Sequence, residues 1–277
     1  MRFPLSMTLS IAAYVAKKKV TRAKKFPMVL MLEPLHACNL TCTGCGRIRE
    51  YEATIKQKMS IDECLAAVDE CGAPVVSLCG GEPMIYPGIG ELTAKILERK
   101  KSVILCTNGM FIKKKIDEFK PSNRFFFNIH LDGMRETHDI AVERQGVFDD
   151  AIEGIKVAKE AGFLVCSNTT VYKETMMSEL DDLFAYLTSL DVDGFMISPR
   201  LQLRGCRLEG NLYDPRRHPR EIPRCRGHVQ EIQVQHVADL LGVSPRQTRN
   251  ELHGLGQPDP QYQRLEGTLL FDHRYSS

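Results

Sequence analysis

What most constrains the fold of this chain is a repeat of two patterns. From residue 28 to 198, short runs that are apolar throughout alternate with longer amphipathic ones. A strand buried on both faces reads as a continuous apolar run, and a helix lying on a sheet reads as a 3.6-residue stripe. Their alternation predicts βα units on a parallel sheet. Strands are predicted at Met28–Leu32, Val75–Leu78, Val103–Cys106, Phe125–Leu131, Leu164–Thr170 and Gly194–Ile197. Helices are predicted at Ser60–Cys71, where Ser60 and Glu63 form a capping box, and at Glu91–Lys100, Ile112–Phe119, Phe148–Ala161 and Ser178–Leu190. Gly162 stands where a helix C-cap is expected. With right-handed crossovers these strands make an α/β fold, a partial (βα)6 barrel whose functional groups gather at the C-terminal strand ends. The chemically loaded clusters fall there: the loop after Leu32, Gly80-Gly81-Glu82-Pro83, Cys106-Thr107-Asn108-Gly109, His130-Leu131-Asp132-Gly133, Asn168-Thr169-Thr170 and Ser198-Pro199.

The first of these loops carries Cys38, Cys42 and Cys45 in the spacing C-x3-C-x2-C. Three thiolates can hold three irons of a cubane cluster and leave the fourth iron open for chemistry. Zinc is the alternative, although structural zinc usually takes four ligands and no fourth Cys or His follows at finger-like spacing. Plain buried thiols are the third reading. The chain has ten cysteines and no signal peptide with a small-residue cleavage site. That combination fits a reducing cytoplasm and metal ligation better than disulfides. No apolar run reaches transmembrane length. A net charge of +2 argues neither for nor against nucleic acid, and no nucleic-acid partner is expected.

Gly80-Gly81-Glu82 is a weak signal alone, because a glycine turn after a strand is ordinary. Two glycines let a backbone edge approach a ligand, and Glu82 can offset an ammonium charge. Following C-x3-C-x2-C at this distance, the motif resembles the radical S-adenosylmethionine (SAM) superfamily. The resemblance implies a 4Fe–4S cluster on Cys38, Cys42 and Cys45, SAM bound at its open iron, and the methionyl amine on the Gly80–Glu82 edge. It also places Asn108, His130, Asp132 and Asn168 where related enzymes contact the ribose and carboxylate of SAM. Many members carry Ser where this chain has His130. A bare turn is the plainer reading of Asp132-Gly133. Lys113, Lys114 and Lys115 read as a solvated helix face.

A finer resemblance runs from about residue 1 to 198. Glu33-Pro-Leu-His-Ala-Cys38, Asp62 to Val76, Gly80-Gly-Glu-Pro83, Cys106-Thr-Asn108 and His130-Leu-Asp-Gly133 are similar to the hopanoid-biosynthesis branch, the adenosylhopene synthases. That resemblance implies addition of a 5′-deoxyadenosyl radical to the alkene of diploptene, with flavodoxin or ferredoxin as electron donor. Such an addition leaves a carbon radical that needs a hydrogen atom, and a thiol S–H is weaker than an alkyl C–H. Cys106, at the end of the third strand, is the candidate donor, with a small core residue as the plainer reading. Cys64, Cys71 and Cys166 read as core, and Cys79 as either. The alternatives are a radical SAM enzyme with a peptide or nucleoside substrate, or an inactive iron–sulfur-binding truncated product.

Two segments flank the core. Residues 1–27 form an apolar, helix-compatible run ending in Lys17, Lys18, Lys19, Arg22, Lys24 and Lys25. They read equally as a peripheral membrane contact at the inner face of the membrane or as a helix capping the barrel. Residues 28–199 are the core domain. In the tail (200–277), residues 200–226 are rich in Arg and Pro with little helical or strand period, and residues 227–277 lack any strong pattern. Back-translated and read one nucleotide later, this tail can yield segments similar to the adenosylhopene synthases, such as Thr-Ala-Trp-Gly-Asn-Pro-Thr-Arg-Asn. The expectation is a frameshift at about residue 199 and an irregular, poorly ordered tail whose cysteines and histidines are not ligands.

Overall fold

The computed structural model describes residues 4–43, 45, 52–172 and 174–199. The tail predicted from residue 200 lies outside the described residues. Helix α1 (Leu5–Val20) precedes strand β1 (Val29–Leu32). There follow α2 (Ile61–Cys71), β2 (Val75–Leu78), α3 (Ile89–Glu98), β3 (Ser102–Thr107), α4 (Ile112–Lys115) and β4 (Phe125–His130). The described part closes with α5 (Arg135–Ala141), α6 (Val147–Glu160), β5 (Leu164–Val171), α7 (Met177–Ser189) and β6 (Gly194–Pro199). The strands form one parallel sheet in sequence order, β1 to β6. This is the predicted α/β architecture of a partial barrel with a preceding N-terminal helix.

Local chemistry explains the element ends. Ser60 and Glu63 make the predicted capping box: the Ser60 hydroxyl accepts from Glu63 N–H, and the Glu63 carboxylate accepts from Ser60 N–H at 2.6 Å. The last residue of α6 is Glu160, and Gly162 follows with φ +82°, the left-handed stop that glycine provides without strain. Helix α4 is one turn long and passes into a 3₁₀ turn at Ile116–Glu118, shorter than the predicted Ile112–Phe119. Helix α3 begins two residues before the predicted start, after Gly88 at φ +81°.

Side chains alternate across the sheet, so its faces differ. On the outer face Leu78, Leu105, Phe125, Phe127, Ile129 and Val165 meet helical residues such as Val68, Leu92, Ile96, Phe148, Ile155 and Phe184 in one buried core. Phe119, Phe125, Phe127 and Phe163 form an aromatic knot with ring centroids 4.8–5.8 Å apart. Each fully buried ring contributes about 2 kcal/mol through apolar area alone.

The inner face is different. Its N-terminal end is closed by α1: Met7, 3% exposed, joins Val75, Phe126 and Cys166, with Ile11, Ile104 and Leu164 packed beside them. Tyr14 Oη fixes the helix exit by donating to Pro27 O at 2.8 Å. Of the two readings of this segment, the structure realises the cap. Leu5 and Leu9 stay 71% and 58% exposed on the other side of the helix. No described helix is long and apolar enough to cross a membrane. Met7→Ala is expected to cost about 2 kcal/mol by opening a cavity, and Leu9→Ala less than about 0.5 kcal/mol. Thermal unfolding by circular dichroism measures both, and equal effects would contradict the cap.

Candidate functional site

The site is built on the C-terminal strand ends, and its foundation is a backbone contact. The segment after β1 runs across the turn after β2. Gly81 N–H donates to Leu35 O at 3.1 Å and Glu82 N–H to Ala37 O at 2.9 Å. A Cβ on Gly80 would stand 2.4 Å from Leu35 O, and one on Gly81 1.8 Å from Ala37 O. Gly80 also has φ +108°. The glycines are therefore required by the strand of protein that leads into Cys38, in addition to any ligand. Sequence reasoning placed the need for glycine at a ligand edge; the structure places a chain crossing there first.

Glu82 locks the same turn. It is 2% exposed. Its carboxylate accepts from Met84 N–H (2.9 Å), Thr107 Oγ1 (2.7 Å) and Asn108 N–H (2.8 Å). Burial pushes its carboxyl above the usual range while these donors pull it back. Asn108 continues the chain of contacts. Its Nδ2 donates to Asn39 Oδ1 at 2.9 Å and its Oδ1 accepts from Met110 N–H at 3.1 Å. Asn39 in turn reaches Met110 Sδ at 3.2 Å. Glu82 and Asn108, predicted as SAM contacts, thus brace the cysteine loop through their own hydrogen bonds.

Cys38 is exposed, and Cys42 and Cys45 are half-buried. Cys45 N–H donates to Cys42 O at 3.0 Å. Burial, then the neighbouring Cys38 and Cys45, push the Cys42 thiol up to about 12; burial likewise raises Cys38. Three thiols so placed repel one another as thiolates, and a cationic centre is what would hold them charged. The loop gathers the three cysteines, yet among the described residues no three Cys, His, Asp or Glu side chains converge in a ready-made metal cage.

Across the rim, His130 Nε2 lies 2.9 Å from Asp132 Oδ2. Burial opposes protonation of His130, but Asp132 and the Asn168 backbone outweigh it and raise its pKa; the same pair lowers that of Asp132. Asp132 Oδ1 accepts from Thr170 N–H (2.8 Å) and its Oδ2 from Tyr172 Oη (3.3 Å). Asp132 N–H donates to His138 Nδ1 at 3.2 Å. This nitrogen must then be unprotonated, and burial holds His138 neutral with its pKa lowered to about 4. Asn168 pairs with His130 across the sheet, so both stand on the inner face. Asp132-Gly133 is more than a bare turn: its carboxylate ties β4 to β5.

Lower on the inner face, Cys106 is flanked by Ser77 Oγ and Asn128 Nδ2, each 3.5 Å from its sulfur. Asn128 is 3% exposed, and its Oδ1 has no partner among the described residues. Cys64 and Cys166 are buried, as predicted; Cys71 is half-buried; and Cys79, 8% exposed, directs its thiol to Leu32 O. Sequence reasoning missed Asn39, Ser77, Asn128 and Tyr172, and it gave Thr107 only as part of a rim cluster, with no role. Asn39, flanked by Cys38 and Leu40, had a local signal, whereas the others become neighbours only through strand register. Gly81→Ala is expected to cost about 3 kcal/mol by overpacking and to lower iron bound after reconstitution. Gly146→Ala, where a Cβ meets nothing within 4 Å, is expected to cost only about 1 kcal/mol for its φ of +85°. Thermal melts and iron assays on the two variants check this.

Comparison with known proteins agrees with this geometry. The chain is similar to the Fe-coproporphyrin III synthase of Methanosarcina barkeri (strain Fusaro / DSM 804), 30% identical over 50% of this chain and 36% of the relative. It is also similar to the GTP 3',8-cyclase of Clostridium perfringens (strain SM101 / Type A), 29% identical over 58% of this chain and 53% of the relative. The chain spans about half the length of the curated relatives it matches, or less. Among solved structures, Streptococcus suis SuiB superposes with TM-score 0.60 at 19% identity, covering 86% of this chain and 51% of that one. The enzyme anSMEcpe with bound AdoMet and Kp18Cys peptide superposes with TM-score 0.53 at 20% identity, covering 68% and 56%. The model of the radical SAM superfamily, whose cofactors are a 4Fe–4S cluster and S-adenosylmethionine, matches residues 32–187. That match takes in the cysteine loop, the Gly80–Glu82 turn and strands β2 to β5, more than half of the sequence, so the chain belongs to the radical SAM superfamily.

Proposed function

We propose that this protein is a hopanoid-biosynthesis enzyme that adds the 5′-deoxyadenosyl group of SAM to the alkene of diploptene, forming a carbon–carbon bond. The residues present fit the two cofactors. Cys38, Cys42 and Cys45 supply a thiol set that a cationic centre would hold as thiolates, and the buried Asn128 Oδ1 leaves an acceptor open on the inner face. When bound, the reduced cluster cleaves SAM and supplies a 5′-deoxyadenosyl radical.

The chain's own groups divide the remaining work. The Gly80–Glu82 turn spends two N–H groups on the cysteine loop, and a ligand ammonium, itself a donor, would be accepted by backbone carbonyl oxygens of the turn. Asn108 and Glu82 hold that turn, while His130 and Asn168 face the inner side of the rim toward the ribose and carboxylate of SAM. Asp132 orients His130 through the 2.9 Å contact to Nε2 and favours its protonation. Met31 and Met196 add apolar surface for a hydrocarbon on the same face as Cys106.

The observation that carries the reading is the setting of Cys106. Its sulfur lies on the inner face between a hydroxyl and an amide rather than in the apolar core. After radical addition, transfer of the Cys106 hydrogen atom to the product carbon would leave a sulfur radical. An electron from flavodoxin or ferredoxin and a solvent proton would restore the thiol. A polar substrate, a nucleoside or peptide, is the second reading, favoured by the buried, unpartnered Oδ1 of Asn128. On the hopanoid reading, α1 keeps its cap through Met7 and in addition presents its outward Leu5 and Leu9, beside the basic run, to the membrane that holds diploptene.

Anaerobic incubation of the reconstituted protein with SAM, reductant and diploptene is expected to give an adenosylated triterpene. In D2O the product should carry one deuterium from the exchanged thiol. Cys106→Ala should keep SAM cleavage but lose the deuterated product by about tenfold or more. Deoxyadenosine without any adenosylated triterpene would overturn the hopanoid substrate; unchanged product from Cys106→Ala would overturn the donor role alone. We propose the same division of the chain as the sequence suggested: residues 1–27, a core of 28–199, and a frameshifted 200–277. Resequencing the gene is expected to show a reading-frame change at about codon 199; a gene that runs in frame through codon 200, with the same tail in close relatives, would remove the idea.

A further inference from the structure

Glu143 occupies a place where its residue type is out of keeping with its backbone. Helix α5 ends in a double hydrogen-bonded stop: Glu143 N–H donates to Ile140 O (3.1 Å) and Arg144 N–H to Asp139 O (3.0 Å). The residue at the head of such a stop is left-handed and is usually glycine. Here it is Glu143, at φ +56°. A side chain in that conformation costs about 1 kcal/mol, and nothing in the helix stop itself requires a carboxylate.

The carboxylate faces the cysteine loop. Thr43 Oγ1 donates to Glu143 Oε1 at 2.8 Å and Thr41 Oγ1 to Glu143 Oε2 at 3.3 Å. Thr43 N–H also donates to Ala141 O at 3.1 Å, filling a carbonyl left open at the helix end. Leu40, 5% exposed, packs with Val142 and Val147. Both residues that flank Cys42 are thus tied to one helix terminus about a hundred residues away in sequence. Cys38 is braced separately, through Asn39 and Asn108. A carboxylate has two acceptor oxygens and can take both hydroxyls at once.

We propose that Glu143 is a positioning residue that clamps Cys42 by gripping Thr41 and Thr43, and that the strained backbone is retained for this purpose. The proposal rests on the reading of Cys42 as a cluster ligand. The test compares the full chain with Glu143→Gly, Glu143→Gln and Cys42→Ala after anaerobic reconstitution with iron and sulfide. Iron release to a chelator is followed in each holoprotein, and thermal unfolding in each cluster-free protein. Glu143→Gly frees the backbone and removes the grip. It should melt at or above the wild-type temperature yet release iron about threefold faster or more, the scale of one exposed hydrogen bond. Glu143→Gln keeps an oxygen and an amide within reach of the hydroxyls, and should release iron close to the wild-type rate. Wild-type iron release from Glu143→Gly, with the cluster lost from Cys42→Ala, would overturn the clamp alone. A full cluster in Cys42→Ala would overturn the ligand reading on which the clamp stands.

Discussion

The structure depends on one backbone crossing. Residues 35–37 lie against the Gly80–Gly81 turn so closely that a methyl group at either glycine would meet a carbonyl oxygen. This crossing brings the loop of Cys38, Cys42 and Cys45 to the rim of the sheet. Glu82 then joins the ends of β2 and β3, and Asn108 returns to Asn39. A single glycine-rich turn therefore positions the cysteine loop and one edge of the rim together. The two halves of the superfamily motif, far apart in sequence, are one packed unit.

The sheet separates stability from chemistry. Its outer face holds the aromatic and aliphatic core against helices α2, α3, α6 and α7. Its inner face carries Ser77, Cys106, Asn128, His130 and Asn168, polar groups that a core would reject. Helix α1 closes the lower end of that face with Met7, so the inner surface opens toward the rim. Burial there also sets the charges. Asp132 raises the His130 pKa against its burial, His130 lowers that of Asp132, and His138 behind them is neutral.

Much of the fold was legible because its signals are local. Strand β2 is Val75–Leu78 in both the sequence reading and the structure, and α2 starts at the Ser60 capping box. Helix α5 was not foreseen: it is seven residues long, and it is held by tertiary contacts rather than by an apolar stripe. Its buried Asp139 caps the next helix by accepting from Gly146 and Phe148 N–H at 2.7 and 2.9 Å. His138 supports Asp132 in the same way. In a sequence such polar residues look like a solvated loop.

The sequence alone determined the order of βα units, the thiol spacing, the membership of a cofactor-using superfamily and the rim on which its motifs fall. The order of units, the thiol spacing and the rim follow from residue type, periodicity or short-range spacing, which the chain carries without reference to its fold. The membership follows from the resemblance of its motifs to a known family. Only the tertiary structure decided which way α1 faces, that the glycines serve a chain crossing, that Glu82 and Asn108 are braces, and that Glu143 reaches the threonines beside Cys42. Those outcomes depend on strand register and on the approach of segments up to about a hundred residues apart, distances over which no local pattern records a contact.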